Sequence, residues 1–218
     1  MSADRQAETP DALLFITPGC PHCQAVLEGL TTLVKDGTVG RLEIINAAVR
    51  PERAAEQGVR SAPWTRIGPF EFEGQLSPTE LRDWAKRAGA PDGVTHYMRE
   101  KLGDGRLDQA EALVRERPDM LTAVLPLIED PEMPMQVRVG VGAVLESLEK
   151  EPALDRLVPE LGRLSTHTDH RVRSDACHYL GLTGSDAARG YLRARIDDEN
   201  PEVREIAEEA LTKLNNQQ

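Results

Sequence analysis

Apolar residues follow two rhythms along this chain, and the rhythm changes near residue 90. Ala12-Leu13-Leu14-Phe15-Ile16 is a continuous apolar run bounded by Pro18-Gly19, the pattern of a central strand buried on both faces. From Gln24 to Lys35 the apolar positions fall at Val26/Leu27, Leu30 and Leu33/Val34, which is a helical period. A second strand is expected over 41–49 on Leu42, Ile44 and Ile45, followed by a short helix over 51–57 opened by Pro51. Residues 63–67 and 69–72 read as an edge hairpin joined at Gly68. Ser77-Pro78-Thr79-Glu80 combines an N-cap, a capping box and a first-turn proline, and starts a helix through Arg87. The predicted order is β-α-β-α-β-β-α.

Gly89-Ala90-Pro91-Asp92-Gly93 is a cluster of breakers, and it divides the chain into domains at 1–90 and 91–218. Beyond it only helical periods occur. Helices are expected over 94–103, 106–116, 119–129, 135–150, 153–165, 170–182, 185–197 and 201–214, with short loops that suit antiparallel pairs. Superposing Val172 on Val203 also pairs Asp169 with Asn200, Arg173 with Arg204, Ala176 with Ala207 and Leu180 with Leu211. Val137-Arg138 with Leu145 forms an earlier copy. This pattern, (Asp/Asn)-x-x-Val-Arg-x-x-Ala-x-x-x-Leu, resembles HEAT repeats over about 130–218, and over 94–129 by helix spacing alone. The resemblance implies an all-α solenoid of stacked helix pairs whose curved face binds protein partners. Arg138, Arg173 and Arg204 are expected to be structural, tying one repeat's loop to the next through Asp or a carbonyl.

Composition narrows the possible partners. Across 218 residues, 39% are hydrophobic and 29% charged, values of a globular chain. The formal net charge of -11 repels nucleic-acid phosphates and anionic headgroups, so neither nucleic acid nor membrane is an expected partner. The polar start MSADRQAETP has no signal-peptide core, and the run Ala12–Ile16 is too short to span a bilayer, so a cytoplasmic location is expected. Three cysteines are too few for a disulfide scaffold.

Two of those cysteines carry the chemistry. Cys20-Pro21-His22-Cys23 falls between the first strand and the first helix, the setting in which Cys-x-x-Cys reads as a redox pair. The spacing puts one sulfur at the helix N-cap and the other a turn inside, close enough for a disulfide. Unpaired N–H groups and the positive end of the helix dipole stabilise a thiolate at the N-cap, and the His22 ring can donate to it. Cys20 is then the attacking thiol and Cys23 the resolving thiol. Zinc is disfavoured because no second Cys pair is present, and no cofactor or metal is expected. Cys177 reads as a small buried residue; His167, His170 and His178 around it are poorly spaced for a closed metal site.

Thr17-Pro18-Gly19-Cys20-Pro21-His22-Cys23, with Ala55-x-x-Gly58-Val59-Arg60-Ser61-Ala62-Pro63, resembles the thioredoxin and glutaredoxin-like thiol oxidoreductases over residues 11–88. The implied fold class is an α/β thioredoxin-like N-terminal domain ahead of the all-α HEAT-like solenoid. The resemblance further implies that Pro63 is a cis-proline facing the disulfide and that the Ala62 main chain pairs with an extended substrate; Trp64, beside them, reads most simply as a core or rim aromatic and second as a substrate contact. Three positions depart from the family. Leu14 replaces a buried Asp, Gly19 replaces an aromatic, and Glu73-Gly74-Gln75-Leu76 lacks a glutathione-binding turn. The expected activity is dithiol–disulfide exchange on a protein client, with an electron donor such as a thioredoxin reductase or glutathione and with the repeats selecting the partner. The alternative is a redox-sensing or sulfur-carrying scaffold in which the HEAT-like domain is the main binding element.

Overall fold

The structure, a computed structural model, describes residues 9–215; Met1–Glu8, most of the polar start considered above, lie outside the described residues. The chain divides into two compact units, 1–94 and 95–218.

In the first unit, strands β1 (Ala12–Ile16), β2 (Leu42–Asn46), β3 (Trp64–Ile67) and β4 (Phe70–Glu73) form one mixed sheet in the order β2-β1-β3-β4. The strands β1 and β2 run parallel, and the other pairings are antiparallel. Helices α1 (Cys23–Lys35), α2 (Pro51–Glu56) and α3 (Pro78–Ala88) complete it. The apolar run 12–16 is central, as its lack of alternation requires: Leu13 and Phe15 pack with Ile45, Trp64 and Ala54 of α2, while Leu14 points to the other face. On that other face Phe70 and Phe72 stack against Trp84 of α3 at 5.3 and 5.1 Å between ring centroids. The capping box at Ser77 forms as expected: the Ser77 hydroxyl accepts from the Glu80 N–H, and the Glu80 carboxylate accepts from the Ser77 N–H. At the end of α1, Asp36 accepts hydrogen bonds from Thr38 and Arg82, which hold its carboxyl at about 2.

Strand β2 ends sooner than the apolar pattern suggests. Asn46 closes a turn in which its side chain accepts from the Ala48 N–H and its carbonyl from Val49 and Arg50, so 47–50 leaves the sheet.

The second unit contains helices α4 (Gly93–Gly103, beginning at the end of the first unit), α5 (Leu107–Glu116), α6 (Leu125–Glu129), α7 (Met135–Ser147), α8 (Val158–Leu164), α9 (His170–Leu182), α10 (Ala188–Arg193) and α11 (Pro201–Asn215). The segments expected as continuous helices over 119–129 and 153–165 are each split. Pro118–Val124 and Pro152–Leu157 are 3-10 turns, and α-helix resumes only at Leu125-Pro126 and Val158-Pro159. A proline offers no N–H to the preceding turn and crowds its carbonyl, so it is tolerated in the first turn of a new helix but not within a longer one.

Val137, Val172 and Val203 each occupy the third position of α7, α9 and α11, and all three are buried. The guanidinium of Arg173 donates to the carbonyls of His167 and Thr168, and that of Arg204 to those of Asp198 and Glu199, the same positions one repeat later. Arg173 also forms a bidentate pair with Asp198, joining the loop before α9 to the loop before α11. Arg138 departs from this scheme: it pairs with Asp175 on α9 and, among the described residues, makes no hydrogen bond to the carbonyls of its own preceding loop. Its helix is preceded by Pro134, which cannot supply the side-chain cap that Asp169 and Asn200 provide. A Cβ on Gly181 would lie 2.8 Å from Ala210 Cβ, so glycine sets the close approach of α9 to α11.

Candidate functional site

Strand β1 delivers the chain to the C-terminal edge of the sheet, where a turn closed by the Cys20 N–H to the Thr17 carbonyl (3.3 Å) leads into α1. Gly19 in this turn has φ +76, with open space where a side chain would be. Glycine is therefore demanded there by the backbone rather than by crowding, which accounts for the missing aromatic.

Cys20 and Cys23 are joined as a disulfide, with their Cα atoms 5.5 Å apart. The helix begins at Cys23 with His22 as N-cap, so Cys20 lies two residues ahead of the N-cap instead of at it, and Cys23 opens the helix instead of lying a turn inside. Pro21 and His22 still occupy turn conformation, and the helical hydrogen bonding starts with the Val26 N–H to the His22 carbonyl. The N-terminus stays electrostatically open: no side chain caps it and no acidic residue lies in its first turn. The two sulfurs are inequivalent. Cys20 is partly exposed beside exposed Gly19 and Pro21, whereas Cys23 is 7% exposed. His22 is exposed between them.

Residues 57–63 approach the same edge because Trp64 of β3 is registered against Phe15 of β1. Gly58, at φ +64, turns the chain out of α2, and the Ala62–Pro63 peptide is cis, as the resemblance implied. The Ala62 N–H and C=O make no hydrogen bond among the described residues. Trp64 takes the core place among its expected roles, not the substrate contact. It is 2% exposed and meets Phe15 edge-on at 5.7 Å, so it is a core residue with no surface to offer a substrate. Strand alternation turned it inward onto α2.

Leu14 is fully buried, and directly across from it stands Thr65, also fully buried, whose hydroxyl has no hydrogen-bond partner among the described residues. Sequence reading passed over Thr65 because one threonine in a strand is unremarkable; only the burial of its unpaired oxygen distinguishes it.

The third cysteine belongs to the second unit. Cys177 is buried in α9, and burial pushes its thiol up to about 12. The histidines near it have separate uses: His167 Nδ1 accepts from the Asp169 N–H at 3.0 Å, and His178 Nε2 lies 3.2 Å from Glu146.

Residues 121–212, from the 3-10 turn before α6 into α11, match the HEAT repeats family. No curated protein matches the chain. Among the described residues, no helix is long and apolar enough to cross a membrane.

Proposed function

We propose that the chain is a thiol–disulfide oxidoreductase of thioredoxin-like fold, acting on protein disulfides through Cys20-Pro21-His22-Cys23, with the HEAT repeats choosing the partner. The observation that carries this reading is the pairing of a partly exposed Cys20 with a buried Cys23 at the uncapped start of α1. In the reduced form, the Cys20 thiolate attacks one sulfur of a client disulfide; that bond breaks, and the first client sulfur leaves as a thiolate that takes a proton from solvent. Cys23, losing its proton, then attacks Cys20 Sγ of the mixed disulfide and releases the second client thiol. The client gains two electrons and the chain is left oxidised, to be reduced by a donor such as a thioredoxin reductase or glutathione. Such a reductant suits the cytoplasm, where thiols are kept reduced.

The test is reduction of a protein disulfide such as that of insulin by the intact chain, with dithiothreitol as donor. Turnover above the donor alone is expected. A stable Cys20–Cys23 bond with no turnover would instead favour the scaffold that senses redox state or carries sulfur.

His22 contributes through the reduced state. Its ring can donate to the Cys20 thiolate, adding to the field of the helix N-terminus, and whatever stabilises the thiolate makes the couple more oxidising. His22→Ala is expected to lower the reduction potential by on the order of 30 mV, equivalent to about 1.4 kcal/mol. Equilibration against dithiothreitol or glutathione buffers measures this, and a potential that does not move removes His22 from the mechanism.

A further inference from the structure

The chain carries a net charge of -11, yet the loops along the disulfide-bearing edge of the sheet carry no acid of their own. Four segments meet there, because β1 and β2 end together at Ile16 and Asn46 while β3 begins and β4 ends at the paired residues Trp64 and Glu73. They are 17–22, 47–50, 57–63 and 74–76, and none contains Asp or Glu. They do contain Arg50, Arg60 and His22, all exposed. Arg50 lies 3.9 Å from Glu52, which offsets it. Arg60 makes no ion pair among the described residues, and the uncapped N-terminus of α1 adds its positive end to the guanidinium. The nearest strand acid, Glu73, is partly buried. The opposite edge of the sheet, by contrast, carries Asp11 and Asp36, each paired with an arginine.

We propose that this site takes peptide disulfides whose cysteines are flanked by carboxylates, and that Arg60, two residues before the free main chain of Ala62, sets the preference. The inference rests on the oxidoreductase reading above. A segment lying along Ala62 passes Arg60, so a carboxylate next to the reacting cysteine gains an attraction that a lysine there would turn into repulsion. Both the encounter and the mixed disulfide are affected. The groups are exposed, so the effect must weaken as salt shortens the screening length from about 10 Å at 0.1 M to about 3 Å at 1 M.

The experiment uses the intact reduced chain and three peptide disulfides of one length, with Glu, Gln or Lys on both sides of the cysteine, plus glutathione disulfide as a small carboxylate-bearing alternative. Second-order rates are measured at low and high salt. The Glu peptide is expected to react about tenfold faster than the Lys peptide at low salt, with the ratio falling towards one at high salt. Arg60→Gln should reduce that ratio by about threefold, Arg60→Lys should retain it and Arg60→Glu should bring it to about one. Arg41→Gln, the same charge change at the opposite edge, should leave the ratio as it is. Equal rates for all three peptides would overturn the charge preference while leaving the oxidoreductase reading intact. Glutathione disulfide outrunning the Glu peptide would overturn the peptide assignment, and no reaction with any disulfide would end both readings.

Discussion

Cys20→Ser is expected to abolish disulfide exchange, by more than about a thousandfold, while Cys23→Ser should still attack and then stall. Exposure is what separates the two. A client sulfur must approach in line with the attacking thiolate, and Cys20 is reachable where Cys23 is 7% exposed. With Cys23 replaced, the mixed disulfide at Cys20 has no internal thiol to resolve it. Covalent complexes with client proteins should therefore accumulate, sensitive to reductant and visible on non-reducing gels. Cys20→Ser should trap none. Complexes that formed with Cys20→Ser and not with Cys23→Ser would reverse the assigned roles. Cys177 is not a substitute, since its thiol is buried and held near 12. If the repeats choose the partner, the trapped set should be small, and the acidic balance of 91–218, 25 acidic residues against 16 basic ones, favours clients with a basic patch elsewhere on their surface.

Arg173→Ala should be the most damaging single change in the helical unit, at a cost of about 3–5 kcal/mol, because it leaves a buried carboxylate without its principal cation. The side chains of Arg173 and Asp198 are 6% and 3% exposed, and the guanidinium meets both carboxylate oxygens at 2.8 and 3.0 Å. Two loop carbonyls and Glu199 take up its remaining donors, so the substitution also strands the His167 and Thr168 carbonyls. Arg204→Ala is the control: it removes bonds to two carbonyls only, from a partly exposed position, and should cost about 1 kcal/mol. Urea unfolding followed by circular dichroism reads both; equal costs for the two would show that the buried pair adds nothing beyond the loop ties.

The same pair gives stability a pH dependence. Burial alone would raise Asp198, but hydrogen bonds from Arg173 and the Asn200 N–H, with the charges of Arg173 and Arg195, outweigh it and hold the carboxyl below its ordinary value of 3.8. A lowered folded-state value means the contribution is complete above the ordinary value and is lost as pH falls through the folded one. Asp175 has the opposite slope, since burial raises it despite the charge of Arg138. The difference between the intact chain and Arg173→Ala isolates Asp198: the gap should be constant near neutrality and narrow below about pH 4. A gap that stayed constant into the acid range would count against the pair.

What could be read directly from the chain was whatever is written in local rhythm. The run Ala12–Ile16 admits only a doubly buried strand, Ser77 and Glu80 cap each other across three residues, and the Val-Arg spacing recurs because successive helix pairs face the same packing problem. The cysteine spacing likewise carried its own geometry, and the two sulfurs are bonded as that spacing allows. Tertiary structure decided everything that depends on a distant neighbour. The sequence leaves Trp64 open between core, rim and substrate contact, and the register of β3 against β1 turns it onto α2. Arg138, Arg173 and Arg204 share one motif, yet Arg173 alone among them pairs with the Asp198 carboxylate, which the loop before α11 brings to it; Arg138 pairs with Asp175, and Arg204 donates to the Asp198 and Glu199 carbonyls. The unequal exposure of Cys20 and Cys23, the Thr65 hydroxyl left without a partner among the described residues and the gathering of four loops that lack acids around the disulfide are of the same kind. Periodicity records which face of an element is buried, but burial depth, partner and local field are sums over residues far apart in the chain, and they exist only once the strands and helices have been brought together.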